Sequence, residues 1–520
     1  MARHLPYYLQ LIEELLAQDR ERAYPKIMRK TAEASMKKLC FVLSALAGML
    51  IWANSSQAAC IGSSPTWLST PDQSSVASCV TSASSGDTIN VLPGSATWST
   101  AVNISSKDLT IIGAGRGLDP ASNTIIARTG DCFQISSGGT SSASRLSSFR
   151  FIDCMISLQG VNPSKAFRID HNYFEGTSNR EMVVSGYNYP LPPSGLFDHN
   201  TLELTRFVIY GTAYLLTEAN WQHQIWASDP DFGGPQAIYI EDNTITANHP
   251  GTIDANYGGR FVYRFNTVRL NGTYANEFHG VQGNNRAGQR WEIYGNNITN
   301  TGAQTFTSAF LRGATGYYFN NTRSGLFSTG VVLKVERSSE TKDPFGQCNG
   351  TWLIDGNTPG FEGWPCRDQI GRSRDSDVYS GTGNWPAQAS TPAYSWSNSQ
   401  NGVQYEFSSY NGSPREQFLQ NLPNRDWYNY NALFNGTTGV GVGAIAARPA
   451  TCTSGVAYWA TDEGEWNSRN AGADGQLYKC TSTNTWRLNY KPYPYPHPLQ
   501  AGWPPTAKPF PLAPFNLKIQ

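Results

Sequence analysis

Short apolar segments that close on an asparagine recur along this chain, and they restrict its fold more than any other feature. AFRIDHN ends at Asn172, GLFDHN at Asn200, IYIEDN at Asn243 and FVYRFN at Asn266. WEIYGN, YYFNN and TWLIDGN continue the series at Asn296, Asn321 and Asn357. Neighbours lie between 23 and 43 residues apart. Such irregular spacing fits a repeated coil of about two dozen residues that carries loops of variable length. A recurring DHN could serve a metal, a catalyst or a structural ruler.

The register around each Asn separates these readings. Three residues before it stand Ile169, Phe197, Ile240, Tyr263, Ile293, Tyr318 and Ile354. Five before it stand Phe167, Gly195, Ile238, Phe261, Trp291, Gly316 and Trp352, and two after it come Phe174, Leu202, Ile245, Val268 and Ile298. Alternation before the Asn is strand-like, and its phase changes across the Asn as at a turn between strands. The odd offsets are therefore expected to point inward. The even ones point outward and present Ala237, Tyr239 and Glu241, then Arg260, Val262 and Arg264. Arg290, Glu292 and Tyr294 follow, then Thr315, Tyr317 and Phe319.

These Asn-closed strands resemble the right-handed parallel β-helix of pectate-lyase-like proteins. The stretch SVASCVTSASSGDTINVLPGSATWSTAVNISSKDLTIIGAGRG looks like an entry to that fold, and the resemblance covers roughly 75–360. It implies an all-β solenoid whose coils stack at about 4.8 Å. An Asn at the same bend of every coil can pass amide hydrogen bonds up and down the stack and tolerates left-handed backbone. The Asn is then the ruler, and the Asp and His of DHN are turn residues. IGAGRG at 112–117 reads as a turn between coils, not as a nucleotide loop.

The N-terminal region predicts export. From Met36, MKKLCFVLSALAGMLIW supplies a Lys37–Lys38 head and an apolar run too short to favour a membrane span. Residues 1–35 read as an extension ahead of the natural start, and 36–58 as a signal peptide cleaved near Ser56 and Ala58. Gln57 stands where a lipobox needs an aliphatic residue, which leaves lipidation of Cys60 a minor alternative. Eight cysteines remain: Cys60, Cys79, Cys132, Cys154, Cys348, Cys366, Cys452 and Cys480. An even number in an exported chain, without CxxC spacing, points to disulfides and not zinc. Sequential pairing is the expectation, although sequence alone does not fix connectivity.

The β-helix is expected over 59–375 and a linker-like, irregular segment over 376–450. A small disulfide-stapled β module with the Pro-rich tail KPYPYPHPL follows over 451–520, the tail packing along the solenoid or capping it. The formal net charge is zero, which offers no basic field for nucleic acid or a membrane surface. Trp459, Trp466 and Trp486 would suit contact with another copy, or the small core of the module itself.

The outward register yields the candidate chemistry. Arg260 and Arg290 fall in one column, where like charges repel unless an anion lies between them. One reading is an exposed charge ladder, with Glu241–Arg264 and Arg260–Glu292 as cross-coil pairs. The other is a shallow groove that binds sugar carboxylates through Arg forks. Tyr239, Glu241, Arg264, Tyr294, Arg312 and Tyr317 would make up the binding surface. His279, near Glu277 and Arg286 in a long loop, could titrate near neutrality, and Asp254 and Tyr257 approach from the preceding coil. The resemblance implies a polysaccharide lyase more than a hydrolase, since paired catalytic Asp clusters and a calcium Asp triplet are not evident. Arg260 and Arg290 would then clamp a uronate carboxylate and His279 abstract the proton, with Tyr257 or Glu292 assisting the leaving group. No cofactor or metal residue is expected, with calcium an alternative that the sequence does not support. The rival class is a surface or filament protein that uses its long face for adhesion. DHN as a metal site and the Arg367–Asp368–Arg372–Arg374 cluster are weaker candidates.

Overall fold

A computed structural model describes residues 60–136, 144–160, 163–186, 189–212, 223–247, 251–280, 286–334, 367–378, 387–410 and 421–501. The expected extension and signal peptide, Asn357, Cys348 and Cys366 lie outside these residues.

Strands that precede each Asn stack into one sheet of thirteen, from Cys60–Ser63 through Phe167–Asp170, Gly195–Asp198, Ile238–Glu241, Arg260–Arg264, Arg290–Tyr294 and Thr315–Phe319 to Ala393–Trp396 and Trp427–Asn429. The first pair is antiparallel, and the coils that follow pair in parallel with like positions opposed, as in Phe261 opposite Trp291. This is the main sheet. Beyond the Asn, the long strands Tyr173–Ser185 and Thr201–Tyr210 divide in later coils into two parallel stacks. The second stack runs through Thr244–Ala247, Thr267–Leu270 and Asn297–Asn300. The third runs through Ile253–Asn256, Asn276–Phe278, Ala309–Leu311 and Val331–Lys334. The molecule is a parallel β-helix.

The inward positions are those the register predicts. Ile169, Phe197, Ile240, Tyr263, Ile293 and Tyr318 join one buried core with Phe174, Leu202, Ile245 and Val268. Burying each such side chain contributes about 1.5–3 kcal/mol. Two glycines at the inward fifth position yield to the large ring in the coil below. A Cβ on Gly195 would lie 2.4 Å from the Phe167 ring, and one on Gly316 1.8 Å from the Trp291 carbonyl oxygen.

The Asn column is continuous. In each step the backbone N–H and Nδ2 of one Asn donate to Oδ1 of the next, for example Asn200 to Asn243 at 2.9 and 3.1 Å. The second face of the amide donates to a carbonyl of the previous coil, as Asn243 does to Phe197 at 3.0 Å. Two details differ from expectation. The left-handed residue is the one before the Asn, with φ between 52° and 67° at His171, His199, Asp242, Phe265, Gly295, Asn320 and Ser397. Asn, Asp and His tolerate that region best, which explains why DHN, EDN and NN recur. The ladder also does not stop at Asn321, which donates to Asn398 at 3.1 Å. Residues 393–396 and 427–429 are thus coils of the solenoid, within the span expected to be a linker.

The helix Gln73–Ser82 covers the N-terminal end, with Asp72 accepting from the Ser75 amide at 2.9 Å and Val76 and Cys79 buried in the core. Cys60–Cys79, Cys132–Cys154 and Cys452–Cys480 are disulfides, all sequential pairs. Cys60 is therefore not lipidated on sulfur, and the pairing fits an oxidising compartment. None of the described helices is long and apolar enough to cross a membrane.

The C-terminal module is a four-stranded sheet of Val440–Gly443, Ala457–Ala460, Gln476–Ser482 and Thr485–Tyr490. It lies against the outward face of the main sheet. Trp459, Trp466, Tyr490 and Tyr495 share a second core with Tyr239, Val262, Tyr294, Tyr317 and Trp396.

Candidate functional site

The docked module closes the groove that the outward register led us to expect. Tyr239, Glu241, Arg260, Arg264, Arg290, Glu292, Tyr294 and Tyr317 are all buried. Tyr239 packs on Tyr493 and His497, Tyr317 stacks on Tyr490 at 3.9 Å, and Tyr294 meets Trp466. None of these tyrosines offers a face to a sugar. The Trp459 and Trp466 rings that suited a contact between copies are likewise spent on the chain's own solenoid. The cause is chemical: an outward strip of aromatic, Arg and Glu side chains is a docking surface for a segment rich in Tyr, Pro and carbonyl acceptors.

Charge in this second core is settled internally. Arg264 donates to Glu241 at 2.6 Å and to the carbonyls of Tyr493 and Pro494 at 2.6 and 2.8 Å. Burial opposes its charge, but Glu241 beside it holds the guanidinium above its ordinary range. Glu292 pairs with Arg290 on its own strand at 2.5 Å, not with Arg260, and accepts from Tyr490. Arg290 also donates to the Pro230 carbonyl. Among the described residues Arg260 hydrogen-bonds to neutral side chains, Gln289 at 2.8 Å and Ser228 at 2.7 Å, and burial with Arg290 nearby pulls it down to about 9 against the opposing pull of Asp231 and Asp229.

The weaker candidates resolve into structure. His171 and His199 stack 4.9 Å apart, each bonded through Nδ1 to the Asp before it. Those carboxylates pair with Arg145 and Arg168, and among the described residues no metal-ligand group converges there. Asp368 and Asp375 hold Arg286, with Arg367 beside Asp375 at 3.3 Å. Tyr257 is buried against Tyr210.

One predicted residue does sit in a reactive setting. On the outward face of the third stack, Asp254 lies opposite Glu277 on the next coil, and Glu277 opposite Phe310. His279 follows Glu277 on that face. Its Nε2 is 3.0 Å from Asp254 Oδ1, 3.5 Å from Glu277 Oε1 and 2.8 Å from Arg312 Nη2. Arg312 also pairs closely with Glu277, Arg206 lies 3.4 Å from Asp254, and Tyr274 donates to Glu277 at 3.1 Å. The His279 side chain keeps 16% of its surface exposed, against none for Arg264.

Nε2 thus faces an acceptor and a donor together. As a neutral acceptor it takes the Arg312 bond, and as a donor it gives to Asp254. Asp254 is held below its ordinary range: burial alone would raise it, but His279, Arg206 and Arg312 outweigh that. It is suited to accept a proton bond and not to act as an acid. Asp254, Glu277 and His279 could each offer a metal one atom within 4.8 Å of the others. The Arg312 guanidinium bonds into the same space, so the cluster's negative charge is already met by a protein cation.

The structure therefore joins His279 and Arg312 of the predicted set and separates them from Arg260, Arg290 and Glu292, which belong to the closed main-sheet face. Sequence reasoning noted Asp254 but missed its bond to His279 and the role of Arg206. Compared with known proteins, the chain matches no family model and no curated protein.

Proposed function

We propose that this exported β-helix cleaves an acidic polysaccharide by β-elimination at His279. The observation that carries the reading is the partly exposed imidazole whose Nε2 lies between Asp254 and Arg312. A uronate carboxylate is the natural competitor for the Arg312 fork. Drawing Arg312 onto the substrate releases the Nε2 lone pair and neutralises the carboxylate, which acidifies the proton α to it. The imidazole takes that proton, its electron pair forms the ring double bond, and the glycosidic oxygen on the β carbon leaves. The imidazolium, stabilised by Asp254, returns the proton to the leaving oxygen, so the base is regenerated without water.

Hydrolysis by the Asp254–Glu277 pair is less well supported. It needs one carboxyl raised enough to serve as acid, and Asp254 is lowered. The test is a panel of acidic and neutral polysaccharides in which unsaturated ends and reducing ends are followed together. Unsaturated ends from a uronate polymer support elimination. Reducing ends without unsaturation, or no product from any polymer, refute it.

A further inference from the structure

Beside the His279 cluster lies an aromatic group that belongs to neither core. Phe306 meets Tyr274 and Phe310 edge to face, and Tyr274 and Phe310 lie tilted to each other, with ring centroids 5.4 to 5.9 Å apart. Three aromatic rings in contact normally close an interior. These lie on the corner and outward face of the third stack, and Phe306 is 38% exposed. On the next coil Leu326, whose carbonyl accepts from the Thr305 amide at 3.2 Å, extends the apolar corner and is 62% exposed.

The patch is wired to the polar cluster. Tyr274 bonds to Glu277, and Phe310 stands in register with Glu277 one coil away. Two cations sit near the Phe310 ring: the Arg312 guanidinium at 5.2 Å and the Lys334 ammonium at 5.9 Å from its centroid. Rings beside cations, next to a His–carboxylate cluster, match an amphipathic acidic sugar. Its C–H face needs an apolar platform and its carboxylate needs a cation.

We propose that Tyr274, Phe306 and Phe310 form a sugar-stacking subsite for a uronate polymer, with Lys334 facing the carboxylate of the stacked unit. The subsite deepens the elimination reading and rests on it for the position of the bond cleaved, because it places the unit next to the one held at Arg312. The polymer would then run along the third stack, across successive coils, and not along the closed main-sheet face.

The full chain carrying His279→Ala, which leaves the polymer intact, is titrated with polygalacturonate and alginate oligomers, with dextran as the neutral control. Acidic oligomers should bind, and adding Phe306→Ala should weaken them about tenfold, the scale of one lost aromatic contact. Phe306→Trp should restore binding, Lys334→Gln should weaken acidic oligomers only, and the melting temperature should hold because Phe306 is exposed. Undiminished binding in Phe306→Ala overturns the subsite. If that variant binds normally while the parent chain still cleaves polymer through His279, the subsite alone fails. If acidic oligomers bind through Phe306 but are never cleaved, the elimination reading alone fails. Binding to no polymer overturns both, as does capture of a protein partner without sugar binding.

Discussion

Arg264 bonds at once to Glu241 on the neighbouring coil and to the backbone of the C-terminal tail, 2.6 Å from Glu241 Oε2 and 2.6 Å from the Tyr493 carbonyl. The same carboxylate accepts from the His497 amide at 2.7 Å. One buried ion pair thus stitches the tail to the solenoid. Arg264→Ala leaves Glu241 buried and unpaired, which should cost about 3–5 kcal/mol and free the tail for proteolysis. The paired change Arg264→Met with Glu241→Leu should cost less. Urea unfolding and limited proteolysis check both. An Arg264→Ala chain as stable as the parent contradicts the docking role.

The Asn column makes a second prediction. Asn266→Ala removes the Oδ1 that accepts both the amide and Nδ2 of Asn243, and the donor to the Ile240 carbonyl. Leaving those buried groups unmet costs about 1–3 kcal/mol each before relaxation. Chemical denaturation should show a loss of at least about 2 kcal/mol. A neutral effect would mean that the ladder does not set coil stability.

What the sequence made legible is what every coil must repeat. The inward residues alternate, and the Asn recurs because each rung needs the next one's amide. Asn398 escaped because the segment preceding it, AYSWSN, lies 77 residues beyond Asn321. The closed face was not legible for a different reason. Arg264 and Glu241 look like a solvated charge ladder until a tail 229 residues away supplies carbonyls. The His279 cluster is drawn from three coils of the third stack. The corners leading to its last two coils, 271–275 and 301–308, differ in length, so counting from the Asn loses register at Phe310 and Arg312.

Gly316 tests the packing directly. A Cβ there meets the Trp291 carbonyl oxygen at 1.8 Å and its ring at 2.4 Å, both buried and fixed by neighbouring coils. Gly316→Ala should destabilise by about 1–3 kcal/mol, the range for overpacking. Its melting temperature falling below that of the parent is the expected reading, and equality would show that the coil spacing yields.

Glu406 gives the chain a pH dependence. Burial pushes its carboxyl up to about 7, above the 4.5 of the free group. The folded state therefore holds this proton more tightly than the unfolded state, so its contribution is complete below about 4.5 and is lost as pH rises through about 7. Melting temperature should decline over that window, and Glu406→Gln should flatten the decline. An unchanged slope in the variant would place its origin elsewhere.

The central claim is that chemistry occurs at the third-stack cluster and not along the buried Arg column. The most direct measurement is the initial rate of unsaturated product from a uronate polymer, compared between His279→Ala, Arg312→Lys and Arg260→Gln chains shown to be folded. Losses of at least about a hundredfold in the first two, with Arg260→Gln within about threefold of the parent, are the predicted result. Full activity in His279→Ala, or loss in folded Arg260→Gln alone, would contradict the account.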